Sequence, residues 1–183
     1  MKIKMWVVED FQADPFTLTW YNRALRTTPP SQIDDGDRFM SLWVCFNSII
    51  RKKYGEKLYD GVLIDSAKTD NEFEEIFSGL FKTEPFQSDF FQLKKMPVRN
   101  MRNVKNLRAV REEEVRVISE DKFSELIKVI YDIRNNLFHG RKNPEDIYDV
   151  ENNDYTLIKL AYKLLLPIVT KYLENKGLIK PEE

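Results

Sequence analysis

A short stretch in the second half of the chain combines an arginine, an asparagine and a histidine. Arg134 is followed directly by Asn135, and five residues after the arginine comes His139, the only histidine of the 183-residue chain. Imidazole both takes and gives protons near neutral pH, and guanidinium binds phosphate oxygens through paired hydrogen bonds. The pair suits a phosphoryl reaction that needs a proton shuttle and an anion clamp, with neither a metal nor a cofactor. Because RNA supplies its own nucleophile, the 2′-hydroxyl, cleavage of RNA fits these residues better than hydrolysis of DNA.

An amphipathic helix is predicted to position this stretch. Ser119 or Asp121 can cap its beginning, and Gly140 stands just past its end. Arg134 lies beside the apolar stripe and not on the opposite, solvated face. Five helical residues span about 7.5 Å of axis, so Arg134 and His139 can converge on one phosphate. The stripe has three-and-four spacing and consists of Phe123, Leu126, Ile127, Ile130, Ile133 and Leu137.

The spacing by itself leaves a structural role open. Arginine is common in this chain, so an arginine five residues before a histidine also arises by chance. A cationic histidine near a helix C-terminus interacts favourably with the helix dipole. Asparagines are ordinary near helix ends too.

Two segments resemble the HEPN superfamily. Arg134-Asn135-x-x-x-His139-Gly140, at the end of an amphipathic helix and before another long helix, is similar to the superfamily signature. The aromatic-rich segment 38–50 resembles the first core helix of the branch often called Apea-like. The resemblance covers roughly residues 37 to 175, although only these two segments carry recognisable motifs.

The resemblance implies an all-α HEPN-like bundle that dimerises and acts as a metal-independent endoribonuclease. Arg134 and His139 would then be catalytic, and Asn135 would be the polar residue that follows the arginine. Members often serve in toxin–antitoxin, phage-defence or RNA-processing systems. Some lack activity, so the alternative is a non-catalytic module that binds a nucleotide, an RNA or a partner protein. A third hypothesis is a toxin held silent by a cognate antitoxin.

A basic run is the second candidate for contact with RNA. Residues 94–111 contain no acidic side chain, and basic residues alternate there with asparagines, a composition that suits phosphate and base-edge contacts. In a helix a period of three drifts by about 60° per repeat, so the charges would spiral around one flank. Residues 112–114 are glutamates that can neutralise the run, which leaves an ordinary solvated face as the alternative. The predicted RNA-binding residues are Arg99, Arg102, Lys105 and Arg108, with Arg141 and Lys142 beside the histidine.

Composition indicates one globular unit without a general attraction to nucleic acid. A chain of 183 residues buries a sizeable core. The net charge of −1 means that RNA binding requires a local patch. Cys45 is the single cysteine, so no intramolecular disulfide forms, and its apolar neighbours predict a buried thiol. No segment is apolar enough to span a membrane and no signal-peptide core follows the N-terminus, so we expect a cytoplasmic protein.

The first 36 residues are predicted to form an extension that packs on the bundle formed by residues 37–183. The extension has a short strand near its beginning and a helix that starts at Asp14-Pro15. Residues 31–37 are predicted to form a polar loop. The inner face of the helix is predicted to contain Phe16, Trp20 and Ala24, while an RNA-stacking surface on Trp20 and Tyr21 is the alternative.

Three further helices are predicted in the bundle: residues 37–54, 70–81 and about 153–175. The region from 56 to 118 is less regular and leaves room for minor β structure. Acidic residues between 65 and 75 match no cation-binding loop, so we expect a solvated acidic face there.

Overall fold

A computed structural model describes residues 15–26, 32–99, 115–138 and 153–181. Within these ranges the chain forms seven helices and one two-residue strand pair, which confirms the predicted all-α architecture. The strands pair antiparallel, so that Val98 faces Arg116. The elements in chain order are α1 (Pro15–Ala24), α2 (Gln32–Tyr54), α3 (Asp60–Lys68), α4 (Asn71–Leu80), α5 (Glu84–Lys94), β1 (Val98–Arg99), β2 (Val115–Arg116), α6 (Phe123–Phe138) and α7 (Asn153–Asn175).

The two longest helices, α2 and α7, form the centre of the bundle. α2 packs against α1, α3 and α7, while α4, α5 and α6 pack against α7. Phe73 of α4 stacks with Phe123 of α6 and with Tyr172 of α7, each at 5.2 Å between ring centroids. All three rings are buried, so one aromatic stack joins three helices.

The helix α2 ends where the sequence predicts and begins earlier. Gly55 stops it with a φ of 136°, a conformation that glycine adopts readily. The polar loop predicted for residues 31–37 is wrong from Gln32 onward, because the chain is already helical there. Asp35 pairs with Arg38 and accepts a hydrogen bond from Tyr155 of α7 at 2.8 Å. α2 therefore runs across the boundary placed between residues 36 and 37.

The helix α1 begins at Pro15 as predicted, and its predicted inner face is correct at Ala24 and in part at Trp20, but wrong at Phe16. The side chains that face the core are Thr17, Tyr21 and Ala24, whereas Phe16 is 54% exposed. The hydroxyls of Thr17 and Tyr21 form hydrogen bonds with hydroxyls of α2 and α7, at 2.7 and 2.8 Å. The pairing of these hydroxyls allows two polar residues to face inward in place of a phenylalanine. Burial of Tyr21 also contradicts the alternative of a stacking surface that includes it.

The irregular region contains two helices that the sequence did not predict, α3 and α5. Each is short and also carries an exposed apolar side chain, Val62 in α3 and Phe91 in α5, so its apolar residues do not mark one face. The helix predicted between them is confirmed as α4, whose N-cap Asp70 accepts a hydrogen bond from the backbone of Glu72 at 2.9 Å. A minor β element in this middle region is confirmed by the strand pair.

The helix α6 begins at Phe123, and its cap differs from the prediction. Ser119 bonds to a glutamate in the first turn, and Asp121 pairs with a lysine of α5. The backbone N–H of Phe123 donates instead to Glu74 of α4, at 3.1 Å. This cap comes from a residue 49 positions away, which local sequence rules cannot detect.

The acidic residues between 65 and 75 were predicted to form a solvated face, but two of them form ion pairs with other parts of the chain. Asp70 and Glu72 both pair with Lys53 of α2, at 2.8 and 2.7 Å. Glu72 also pairs with Lys176, at 2.8 Å. Together with the Glu74 cap, these contacts show an acidic face that holds α2, α4 and the chain after α7 together.

The end of α7 matches the prediction. Gly177 follows the helix with a φ of 67°, and the N–H of Leu178 reaches back to the carbonyl of Leu173 at 2.9 Å. This is the hydrogen bond expected of a helix closed by a left-handed glycine. Cys45 is buried, as predicted.

In the described ranges, no helix combines the length and the apolar character needed to cross a bilayer.

Candidate functional site

Arg134 lies on α6, one turn before the helix ends. Its side chain is only 15% exposed, in agreement with its predicted place beside the apolar stripe. The guanidinium carbon lies 5.7 Å from the centroid of the Trp43 ring of α2, within the distance at which a cation and an aromatic ring attract each other. The arginine is therefore held against the core.

Two polar groups fix the guanidinium. One terminal nitrogen, Nη2, lies 3.3 Å from Oδ2 of Asp60, the first residue of α3. The other, Nη1, donates to Oδ1 of the buried Asn135 at 3.0 Å. Because guanidinium is planar and its donors are rigidly placed, contacts on both terminal nitrogens restrict the orientation of the whole group.

Asp60 joins two arginines from different helices. Its Oδ1 accepts a hydrogen bond from Nη2 of Arg51 at 2.6 Å, while its Oδ2 faces Arg134. We call Arg51, Asp60, Arg134 and Asn135 the Asp60 cluster. The cluster connects the end of α2, the beginning of α3 and the end of α6. The sequence does not reveal a role for Asp60, because it lies in a short apolar run that favours neither a helix nor a strand.

An open cleft of about 490 Å³ adjoins the Asp60 cluster. Its walls include Arg51 and Asp60 of the cluster, Tyr131 of α6 and the loop that ends at Tyr59. Tyr131 also stacks on Trp43, with 5.8 Å between centroids and 23° between planes. Arg134 contacts Asp60 of the cleft wall at 3.3 Å. The arginine therefore lies next to this wall.

The other predicted site residues lie mostly outside the described ranges. His139 directly follows Phe138, the last described residue of α6. Arg99 is the second residue of β1, where only its backbone is described. The roles predicted for both therefore stay predictions. The same holds for residues that lie entirely outside the described ranges, namely Arg102, Lys105, Arg108, Arg141 and Lys142.

Asp132 anchors the strand pair to α6. Its buried carboxylate pairs with Nε of Arg116 in β2 at 2.6 Å. β1 also packs against α6. The two strands that flank residues 100–114 in the sequence therefore both lie beside the helix that carries Arg134. The sequence does not predict this role for Asp132, because nothing distinguishes it there from the other polar residues near Arg134.

No protein-family model matches the chain, and no curated protein or solved structure matches it. The relation to the HEPN superfamily therefore stays a prediction from two segments. Within the described part of the chain, no group of three or more histidine, cysteine, aspartate or glutamate side chains is arranged to hold a metal ion.

Proposed function

We propose that this protein is a metal-independent endoribonuclease of the HEPN type. The observation that carries the proposal is the Arg134 guanidinium, fixed by Asp60 and Asn135 next to the wall of an open cleft. A fixed guanidinium is what phosphate binding requires. His139, five residues further along the chain, supplies the proton chemistry.

In the proposed reaction the 2′-hydroxyl oxygen of RNA attacks the adjacent phosphorus. The bond to the 5′-oxygen of the next nucleotide breaks, which leaves a 2′,3′-cyclic phosphate and a free 5′-hydroxyl. His139 accepts the proton of the 2′-hydroxyl or protonates the leaving oxygen. Arg134 stabilises the additional negative charge of the transition state, and Asn135 orients the guanidinium. The predicted RNA-binding residues, among them Arg99 and Arg141, hold the RNA strand.

A homodimer is the proposed working unit. Each chain has one histidine, so a mechanism with separate histidine base and acid needs one from each subunit. A cytoplasmic location, and a role as a toxin or defence effector with an antitoxin as partner, belong to the same proposal. Poor recovery of the wild type from expression, relieved by His139→Ala, is the expected sign of toxicity.

The first test is incubation of purified wild type, Arg134→Ala and His139→Ala with mixed RNA in excess chelator. We expect the wild type to produce 2′,3′-cyclic phosphate ends, and each variant to lose roughly 100-fold or more in rate, the scale of losing one transition-state donor or a general base. Arg23→Ala is the matched control, because Arg23 is an exposed arginine of α1 whose guanidinium lies over Trp20. It should cleave at the wild-type rate.

Cleavage by Arg134→Ala or His139→Ala at the rate of the Arg23→Ala control would show that the assignment is wrong. Folding and oligomeric state of each variant are compared by circular dichroism and by size-exclusion chromatography with light scattering. A requirement for a divalent ion would equally contradict the mechanism.

The second candidate is a non-catalytic module that binds RNA, a nucleotide or a partner protein. The contact of Arg134 with Asp60 favours it, because a carboxylate at 3.3 Å already compensates the charge of the guanidinium. A folded dimeric wild type that binds RNA without cleaving it supports this function. Arg134→Ala would then weaken binding while His139→Ala changes it little.

A further inference from the structure

The loop between α2 and α3 forms one side of the cleft, and the side chain of Arg51 holds it. Nη1 of Arg51 donates to the backbone carbonyls of Glu56 and Leu58, at 2.9 and 3.1 Å. Nη2 of the same residue bonds to Asp60, at 2.6 Å. The loop between Gly55 and Asp60 is thus fixed at both its middle and its end, so the cleft is preformed.

An exposed tyrosine stands on this fixed loop. Tyr59, the residue before α3, is 85% exposed, yet it lies on the wall of the cleft. Tyr131 of α6 belongs to the same lining, and so does Lys57, which is an exposed cation. A large aromatic side chain in water on a fixed backbone is a stacking surface that loses little entropy when a planar ligand binds.

A glycine of α3 leaves space in the cleft. Gly61 lines it, and a Cβ atom built there meets no atom within 4 Å beyond its chain neighbours and the backbone of its own helix, within the described part of the chain. Packing within the described part of the chain therefore does not require glycine here. Glycine also makes a helix less stable than alanine does, by about 1 kcal/mol. The space is available to a ligand.

We propose that the cleft binds one nucleotide of single-stranded RNA, next to the phosphate held by Arg134. Tyr59 stacks on the base and Lys57 contacts the phosphate of that nucleotide. The contact of Asp60 with Arg134 shows that the arginine is close to the cleft, because Asp60 belongs to the cleft wall and lies 3.3 Å from Arg134. The volume of about 490 Å³ is within the range of small-molecule sites. This assignment rests on the proposed function, because it places the nucleotide beside the phosphate that Arg134 holds in the proposed reaction.

Binding is measured separately from cleavage. The probe is a fluorescein-labelled single-stranded oligonucleotide of mixed sequence whose riboses are all 2′-O-methylated, so that no 2′-hydroxyl can attack. Fluorescence anisotropy with the full chain gives the dissociation constant. Tyr59→Ala should weaken binding by roughly 5- to 100-fold, the loss expected for one base–aromatic stack, and Tyr59→Trp should restore it.

A glycine pair supplies the matched control. Gly61→Leu fills the cleft and should weaken binding at least as much as Tyr59→Ala. Gly79→Leu places the same side chain on α4, at a helical glycine whose added Cβ also meets no atom within 4 Å. It should bind RNA as the wild type does, and circular dichroism verifies that both variants fold. A mixture of free mononucleotides is then added as a competitor. Displacement of the oligonucleotide indicates a site for a single nucleotide, and no displacement indicates a site that requires the RNA strand.

The outcomes distinguish the subsite from the catalytic proposal. Wild-type affinity in both Tyr59→Ala and Gly61→Leu overturns the subsite, whether or not the wild type cleaves RNA. A wild type that does not bind the oligonucleotide at all overturns it as well. Weaker binding by both variants, with no cleavage of unmodified RNA by the wild type, leaves the subsite standing and overturns the nuclease.

Discussion

Two cations in the last turn of α2 belong to different ion-pair clusters. Arg51 is part of the Asp60 cluster, and Lys53 is part of a second group that we call the Asp70 cluster. The Asp70 cluster also contains Tyr54, Glu72 and Lys176, and it joins two lysines to two carboxylates. Residues two apart on a helix point in different directions, which is why one turn serves both clusters.

The clusters differ in their surroundings. In the Asp70 cluster the Lys53 ammonium lies 5.4 Å from the Phe73 ring and 5.7 Å from the Tyr172 ring, both part of the buried aromatic stack. In the Asp60 cluster the Asp60 carboxylate contacts two arginines beside the cleft. The Asp70 cluster therefore lies against the aromatic core, whereas the Asp60 cluster adjoins an open cleft.

The pKa values in the Asp70 cluster follow from its contacts. Partial burial acts to raise the pKa of Asp70, but hydrogen bonds from Lys53 and Tyr54 outweigh it and lower the pKa below 3.8. Burial acts on Glu72 in the same direction, and hydrogen bonds from Lys176 and Lys53 lower its pKa below 4.5. Burial, together with the hydrogen bond to Asp70, raises the pKa of Tyr54. Both carboxylates are thus held ionised.

The largest effect on stability is expected at Asp70. Asp70→Ala removes the N-cap of α4, one of the two carboxylate partners described for Lys53, and the hydrogen-bond acceptor of Tyr54. We expect a loss of about 2 kcal/mol in the free energy of unfolding, since a cap and a hydrogen bond each contribute about 1 kcal/mol. Urea unfolding measures it. RNA cleavage per folded molecule should not change.

Asp65→Ala is the control for that substitution. Asp65 is 70% exposed and pairs only with Lys68 on its own helix among the ion pairs described, so the cost should be below roughly 0.5 kcal/mol. Equal losses from the two alanine variants would contradict the structural role assigned to the Asp70 cluster. A large loss of cleavage in Asp70→Ala would contradict the distinction between the two clusters.

A smaller stability effect, with a change in binding, is expected at Asp60. Asp60→Asn keeps the shape of the side chain but removes the charge that competes with phosphate for Arg134. We expect RNA to bind roughly 3- to 10-fold more tightly, because one unfavourable charge is removed, and the free energy of unfolding to fall by about 1 kcal/mol or less. The cleavage rate should fall, since Arg134 loses the group that orients it. Anisotropy and single-turnover cleavage measure the two effects.

Asp89→Asn is the charge-matched control. It changes the net charge by the same amount but lies on α5, where Asp89 pairs with Lys163 of α7 at 3.0 Å. Equal changes in RNA affinity for the two variants would mean that only total charge matters. In that case the Asp60 cluster would have no special role.

The two clusters also show what the sequence can and cannot predict. Three-and-four spacing predicted α2, α4, α6 and α7, because each buries a wide apolar face. It also placed Arg134 beside the buried stripe. Asp60 was missed because its role depends on two arginines, 9 and 74 positions away. The sequence did not place Tyr21 on the inner face of α1 for a related reason, since Tyr21 bonds to a residue 149 positions away. Contacts over such separations leave no local pattern.

The smallest effect is the dependence of stability on pH. Because Asp70 and Glu72 have lower pKa values in the folded chain, their contribution is fully present above the ordinary values of 3.8 and 4.5. It is lost as the pH falls through those values toward the folded ones. The double variant Asp70→Asn, Glu72→Gln should lose less stability between pH 6 and pH 3 than the wild type does. The expected difference is below roughly 1 kcal/mol for each group, the scale of partly exposed ion pairs. Thermal unfolding at several pH values measures it. A wild-type profile as flat as that of the double variant would mean that Lys53 and Lys176 do not hold these carboxylates ionised.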